Sequence, residues 1–207
     1  MKAKITAIKD GPLVLESEDN HQIIHQDDNC IKSGNPAYLC RCGKSKKKPF
    51  CDGTHGDINF KSAREIKDEI IQEYVGKDMT ITFNRSICAG AAHCVAQLPS
   101  VFSSESSTNW IDPDNDSPNK VIETIKACPS GALSYILGDI EHLDKRKTAK
   151  ISIIKNGPYN VEAVTYDFLP TPTNFSTTKY TLCRCGLSKN KPYCDYSHAE
   201  KNWDDEA

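Results

Sequence analysis

Two copies of one pattern of cysteine and histidine constrain how this 207-residue chain can fold. Both copies have the spacing C-x-C-x8-C-x3-H, and such thiol and imidazole side chains are ligands for iron, zinc and copper. The candidate ligands, first copy and then second, are Cys40, Cys42, Cys51, His55, Cys183, Cys185, Cys194 and His198. Because every ligand spacing is repeated, the chain is predicted to hold two metal centres of the same kind.

The fuller pattern C-x-C-x2-S-x3-P-x-C-D-x-x-H is met by both copies. It resembles the CDGSH iron-sulfur family, to which the mitoNEET-type proteins belong. In that family the three cysteines and the histidine ligate a 2Fe-2S cluster, so the resemblance implies one such cluster on each ligand set. The copies differ at one position, where the first has Gly53 and the second has Tyr196. Tyrosine adopts a positive-φ backbone less readily than glycine.

The repeat extends beyond the ligands. Two short strands joined by a Gly-Pro turn are predicted at 3–15 and again at 151–161, and a further strand precedes each ligand loop at 37–39 and 180–182. Small modules of this kind bury little apolar surface alone, and members of the resembled family dimerise through intertwined strands. We therefore expect modules 1–60 and 149–207 to pair within the chain as a pseudo-two-fold unit. The alternative is two independent modules, each stabilised by its metal.

Three more cysteines lie between the modules, namely Cys88, Cys94 and Cys128. Their spacing and the Pro that follows Cys128 resemble a single-cluster bacterial-type ferredoxin, and 74–135 resembles the divergent mono-cluster ferredoxins. Ala91 stands where the second cysteine of the usual run would be. The resemblance implies a ferredoxin-like domain at 61–148 with a 3Fe-4S cluster, or alternatively 4Fe-4S. The fourth ligand stays open, and His93 is expected on a helix surface.

The fold class expected for the whole chain is α+β, with two small β-rich modules flanking the ferredoxin-like α+β insertion. Apolar residues at helical spacing predict a short connecting helix over 61–76. Strands are predicted at 79–83, 110–111 and 133–136, with helices ending near residues 98 and 128. The segment 138–150 is rich in Lys, Arg and Asp and is predicted to be a linker.

Composition narrows the class of protein. The formal net charge of −2 gives no reason to expect a nucleic-acid partner. The chain contains no run of about 20 apolar residues and no leader pattern at its start, so we expect a soluble, cytoplasmic protein away from membranes. Ten cysteines would suit a disulfide scaffold only in an oxidising compartment. Metal ligation accounts for nine of them and leaves Cys30 outside the sites.

No nucleophile elbow, phosphate loop or dinucleotide fingerprint is present, so we expect no enzyme activity. The favoured hypothesis is a one-electron carrier with three iron-sulfur clusters, whose partners are redox proteins. One alternative is a redox or pH sensor, or a carrier that donates clusters to apo iron-sulfur proteins. Another is a structural zinc protein, because three cysteines and one histidine also suit zinc. Since ligating imidazole must be deprotonated, 2Fe-2S clusters should be lost as the pH falls toward about 6.

Overall fold

The structure is a computed structural model that describes residues 3–18, 24–26, 29–103, 109–167 and 170–206. Over these ranges the fold is α+β, with three sheets and four short helices. The longest of these helices has ten residues, and no described helix is long and apolar enough to cross a membrane. The α+β class predicted from the sequence is confirmed.

The N-terminal module (1–60) consists mainly of short strands. The predicted strands before the first ligand loop are confirmed, and two further short strands were not predicted. Its elements are β1 Lys4–Ala7, β2 Leu13–Glu16, β3 Ile24–Gln26, β4 Asn29–Cys30, β5 Ala37–Leu39 and α1 Thr54–Asp57.

The middle region (61–148) forms its own antiparallel sheet, in the order β6-β7-β8-β9, with two helices beside it. Short 3-10 turns occur at Arg85–Ile87 and Pro113–Asn115. Its strands and helices are β6 Ile71–Val75, β7 Thr80–Asn84, α2 His93–Gln97, α3 Pro118–Ala127, β8 Leu133–Leu137 and β9 Ile140–His142.

Three predictions for the middle region are wrong. The helix over 61–76 does not form: 61–70 has no regular element, and β6 follows because its backbone pairs with β7. The predicted linker at 138–150 contains β9, which extends the sheet. The predicted strand at 110–111 is reduced to one isolated bridge between Phe102 and Ile111.

The C-terminal module (149–207) repeats the elements of the first. Its predicted strands at 151–161 and 180–182 are confirmed. The elements are β10 Lys150–Ile153, β11 Tyr159–Glu162, β12 Thr165–Tyr166, β13 Lys179–Leu182 and α4 Ser197–Glu200.

The two modules exchange strands. One sheet has the order β12-β1-β2-β5 and the other β13-β11-β10-β3-β4. The exchanged strands pair in parallel, with Lys4 opposite Thr165 in the first sheet and Ile24 opposite Ile151 in the second. Each sheet therefore contains strands of both modules, which contradicts the alternative of two independent modules. Strand exchange lets two modules that are small alone share one core.

A single hydrophobic core connects all three parts of the chain. Leu13 and Tyr159 are fully buried at equivalent places in the two modules, while Phe83 and Val121 contribute from the middle region. The ligand loops project from this core, directly after strands β5 and β13.

Candidate metal centres

In the N-terminal site the four predicted ligands lie together as two pairs. The Sγ atoms of Cys40 and Cys42 are 3.7 Å apart, and Cys51 Sγ lies 3.3 Å from His55 Nδ1. The amide of Cys40 donates to the carbonyl of Pro49 at 2.8 Å and closes the loop between the pairs. Strand β5 thus leads directly to the first pair, and α1 carries the histidine of the second.

The C-terminal site has the same geometry. The Sγ atoms of Cys183 and Cys185 are 3.6 Å apart, and Cys194 Sγ lies 3.4 Å from His198 Nδ1. The amide of Cys183 donates to the carbonyl of Pro192 at 2.8 Å, as in the first site. The loss of the motif glycine in the second copy therefore does not change the ligand arrangement.

An aspartate beside the third cysteine organises each loop. Asp52 accepts hydrogen bonds from the amide of Lys46 at 2.8 Å and from the hydroxyl of Thr54 at 2.7 Å. Asp195 accepts the matching bonds from Lys189 and Ser197, at the same two distances. The bonds to Asp52 hold the pKa of its carboxyl well below its usual range. The conserved shape of both loops thus follows from one charged acceptor near the start of the histidine helix.

The arginine inside each C-x-C segment was not singled out from the sequence. The buried Arg41 donates through Nε to the carbonyl of Gly11 at 2.7 Å, and its guanidinium lies over the ring of Phe60. Arg184 donates to Gly157 at 2.9 Å and lies over Trp203. These arginines connect the ligand loop to the Gly-Pro turn of its own module, and the aromatic rings cover the cysteines. The repeated C-R-C sequence was the available signal.

Tyr196 takes the left-handed backbone conformation despite its side chain. Its φ and ψ are 80° and −6°, close to the 95° and −12° of Gly53 in the first site. Left-handed backbone costs a non-glycine residue roughly 1–2 kcal/mol. The ring of Tyr196 packs against Gly90, where a Cβ would come within 1.9 Å of it. This contact with the middle region is available to offset the strain.

The two CDGSH-type loops lie back to back. A Cβ on Gly43 would lie 2.2 Å from the carbonyl oxygen of Cys185, and one on Gly186 would lie 2.6 Å from that of Cys42. The indole Nε1 of Trp203 also donates to the carbonyl of Gly43 at 3.4 Å. The glycine after each C-x-C segment is therefore required by the close approach of the partner loop.

Within each C-x-C pair one thiol is set up to ionise before the other. The hydrogen bond from Cys42 lowers the pKa of Cys40 to about 6, and the bond from Cys185 lowers that of Cys183 to about 7. The pKa of each donor thiol is raised in turn, chiefly by that same bond. Thiolates are the metal-binding form, so in each pair the first cysteine is the more readily ionised ligand.

The three cysteines of the middle region line one shared cavity. The aromatic rings of Phe83 and Trp110 form apolar walls, and Ala91 and His93 also line the space. The cysteines on its surface are Cys88, Cys94 and Cys128. Burial raises the pKa of Cys88, and it raises that of Cys94 to about 11. His93 is exposed at the start of α2, as expected, yet it reaches the cavity lining.

The distance between the two sulfur atoms in each C-x-C pair fits two ligands bound to the same metal. Two thiolates on one tetrahedral metal, at about 2.3 Å each, are separated by about 3.8 Å, close to the 3.7 and 3.6 Å observed. Among the described residues, no three His, Cys, Asp or Glu side chains are arranged to hold a single metal ion. The Cys40–Cys42 and Cys183–Cys185 pairs are therefore each spaced to bind one metal.

Comparison with known families matches all three sites. The model described as "Iron-binding zinc finger CDGSH type" matches residues 10–56 and 156–199, and that described as "Divergent 4Fe-4S mono-cluster" matches 74–138. The chain is 36% identical over 62 residues to uncharacterized protein YjdI of Escherichia coli K12, covering 30% of this chain and 80% of the relative.

CDGSH iron-sulfur domain-containing protein 1 of Rattus norvegicus is 38% identical over 56 residues, which are 27% of this chain and 51% of the relative. The protein of that name from Bos taurus is 36% identical over 56 residues, covering 27% and 52%. This chain thus spans about half the length of these mammalian relatives. No solved structure matches. The repeated ligand loops, the cysteine-lined cavity and these matches show that the chain carries two CDGSH-type regions flanking a divergent 4Fe-4S mono-cluster region.

Proposed function

We propose that the protein is a one-electron carrier with a 2Fe-2S cluster at each CDGSH-type site and a third cluster in the middle region. The observation that carries the proposal is the pairing of ligands. Cys40 with Cys42 would hold one iron and Cys51 with His55 the other, and the C-terminal site repeats this division. A single zinc ion would need all four ligands around one point, so the zinc alternative has less support.

We also propose that the two modules form a pseudo-two-fold unit. Its support is the reciprocal exchange of β1 and β3 with β12 and β10, and the mirrored approach of Gly43 and Gly186 to the opposite C-x-C segments. In this arrangement the ligand loop of each site packs against the ligand loop of the other. The two clusters would then share one strand-exchanged unit without a second chain.

The middle site would hold its cluster on Cys88, Cys94 and Cys128. The matched family description names 4Fe-4S and gives no support to the 3Fe-4S cluster favoured from the sequence. We therefore propose 4Fe-4S, with His93 as the candidate fourth ligand because it lines the same cavity while Ala91 has no ligating atom. Replacing His93 with alanine should reduce the iron bound at this site by about one per chain, toward the three-ligand 3Fe-4S form.

Bound clusters would supply one-electron oxidation and reduction, while the chain sets the potential and the access. One imidazole per 2Fe-2S site removes a negative charge, so we expect potentials between the roughly −400 mV of four-cysteine sites and the roughly −150 mV at which two-histidine sites begin. Arg41 and Arg184 add positive charge beside the cysteines. Both effects favour the reduced form. The nine ligand cysteines must stay as thiols, which favours the cytoplasm.

A second candidate function is donation of clusters to apo iron-sulfur proteins. It is favoured by the half-buried state of Cys51, which contrasts with the burial of the matching Cys194. The N-terminal cluster would then be the more accessible of the two for transfer. Incubation with an apo-ferredoxin should move that cluster faster than free iron and sulfide do if this function is correct. Redox partners, rather than substrates, are expected under both candidates.

The test of the main proposal is reversible reduction of anaerobically purified protein under a controlled potential. Two one-electron steps from sites with 2Fe-2S spectra and one from the middle site are expected. Cys51→Ala and Cys194→Ala should each remove one 2Fe-2S spectrum and leave the other. A protein whose spectra do not change with potential would contradict electron transfer.

A further inference from the structure

The C-terminal site is in direct contact with the middle site. Gly90 lies two residues after Cys88, and Tyr196 lies between Cys194 and His198. A Cβ on Gly90 would be 1.9 Å from the Tyr196 ring, so the backbone of the one ligand loop rests on the ring of the other. The Tyr196 ring meets the His198 ring edge to face, with the centroids 5.8 Å apart.

Further contacts fix the middle region on the C-terminal module around this point. Asn190, in the C-terminal ligand loop, donates to the carbonyl of Ser86 at 2.7 Å. Lys179 donates to the carbonyl of Lys126 at 3.0 Å, close to Cys128. The two ligand sets are thus held close together by several contacts.

The N-terminal site shows a different environment at the matching position. A Cβ on Gly53 would meet no atom within 4 Å, so this part of the loop faces open space. Cys51 is half-buried, whereas Cys194 is buried. The N-terminal site does contact the C-terminal one, through the approach of Gly43 to Cys185.

We propose that the three sites form a row in which the C-terminal site lies between the other two, and that Tyr196 provides the packed contact through which it exchanges electrons with the middle site. This inference rests on the proposed function. In each exchange one electron leaves the reduced middle site and one electron arrives at the oxidised C-terminal site, with no bond made and no proton required. The same exchange runs in reverse when the C-terminal site is the donor. An external one-electron donor, such as a reduced flavoprotein or ferredoxin, reduces the sites again.

The physical reason for the tyrosine is the dependence of electron tunnelling on distance and packing. The tunnelling rate falls exponentially as the gap between redox groups widens, and it is faster through packed atoms than across empty space. A glycine at position 196 would leave a gap in front of Gly90, whereas the tyrosine ring lies in direct contact with it. Tyr196 therefore acts as a positioning residue that joins two ligand sets.

The order of the sites can be tested by removing one CDGSH-type cluster at a time from the full-length holoprotein. Cys51→Ala and Cys194→Ala delete ligands at matched positions. With the remaining clusters paramagnetic, EPR should show magnetic interaction between the middle site and a 2Fe-2S site in Cys51→Ala and its loss in Cys194→Ala. Equal interaction in both variants, or loss only in Cys51→Ala, would overturn the proposed order.

The role of Tyr196 needs variants that keep all ligands. Tyr196→Gly restores the residue found in the first site, and Tyr196→Phe keeps the ring. After photoreduction of the holoprotein, transfer between the middle and C-terminal sites should be slowed by Tyr196→Gly and unchanged by Tyr196→Phe. Slowing by Tyr196→Phe, or wild-type rates in Tyr196→Gly, would overturn this role.

Iron and acid-labile sulfide analysis of every variant distinguishes failure of the proposed function from failure of the proposed row of sites. Absence of sulfide from the wild-type protein would contradict the proposed function itself. Clusters present at all three sites, with no interaction between the middle and C-terminal sites in the wild-type protein, would contradict only the row and the contact at Tyr196.

Discussion

The hydroxyl of Tyr159 donates a hydrogen bond of 2.7 Å to the carbonyl oxygen of Cys40, although the two residues belong to different modules. The same hydroxyl lies 3.1 Å from the carbonyl of Pro49, so one buried side chain of the C-terminal module holds both ends of the N-terminal ligand loop. Leu13 occupies the equivalent strand position in the first module and offers no such donor. The N-terminal site is thus completed by the other half of the chain.

Tyr159→Phe should weaken the N-terminal site in particular. The change leaves the buried carbonyl of Cys40 without this partner, which costs about 1–3 kcal/mol of unfolding free energy. Cluster loss from the N-terminal site should also become faster. Tyr180→Phe is the matched control, because the buried Tyr180 hydroxyl donates to the carbonyl of Val164 away from both sites. Similar destabilisation with no change in cluster retention is expected there; equal cluster loss in both variants would contradict the assignment.

Two glycines of the first loop should differ in their tolerance of alanine. Gly53→Ala meets only the strain of its left-handed backbone, about 1–2 kcal/mol. Gly43→Ala adds a clash with the backbone of Cys185, a further cost of about 1–3 kcal/mol of the kind seen on overpacking. Denaturant unfolding of the two holoproteins measures the difference. Equal stabilities would show that the two ligand loops do not touch.

The buried ion pair between Lys179 and Asp144 should be sensitive to which partner is removed. The ammonium lies 2.7 Å from the carboxylate, and Arg146 is a second partner of Asp144 at 2.9 Å. Asp144→Asn leaves the buried Lys179 charge uncompensated and should cost about 3–5 kcal/mol. Lys179→Met should cost less, because Arg146 still neutralises Asp144. A larger loss of unfolding free energy in Lys179→Met than in Asp144→Asn would contradict this assignment of the ion pair.

Acid should release the C-terminal cluster at a pH below the ordinary imidazole range. Burial is the main cause that lowers the pKa of His198. Between that lowered pKa and the usual value of about 6.5, the folded protein binds fewer protons at His198 than the unfolded chain does. Stability therefore rises with pH across this window and falls as the pH falls through it, and protonation also displaces iron.

Visible absorbance followed from neutral to acidic pH measures this release. His198→Cys should remove the acid-dependent loss at the C-terminal site, and His55→Cys should do the same at the N-terminal site. Acid loss that is unchanged at the mutated site would show that histidine is not the acid-sensitive ligand there.

The grouping of the candidate ligands could be predicted because their signal is local. Cys40, Cys42, Cys51 and His55 lie within one loop, and a second copy repeats the spacing. The strands around them were predictable for the same reason, since alternation and Gly-Pro turns act over a few residues. The contact between Tyr159 and Cys40 has no such signal, because it depends on how two modules exchange strands.

The helix predicted over 61–76 does not form, although its apolar residues have helical spacing. Ile70 and Ile71 fit a helical stripe, yet both are exposed. The preceding backbone instead bonds to the C-terminal ligand loop, where the amide of Glu65 donates to the carbonyl of Lys189 at 2.7 Å.

Tyr196 shows the opposite situation. Its positive-φ backbone was unfavourable when judged from the sequence alone, and in the structure its ring contacts Gly90, which lies 106 positions away in the sequence.

Whether the paired ligands hold iron-sulfur clusters can be decided by measuring the iron, zinc and acid-labile sulfide content of anaerobically purified protein, with EPR before and after reduction. We expect about eight irons and about eight sulfides per chain, without zinc, and EPR signals that appear on reduction. Zinc at the ligand sites with no acid-labile sulfide would contradict this expectation.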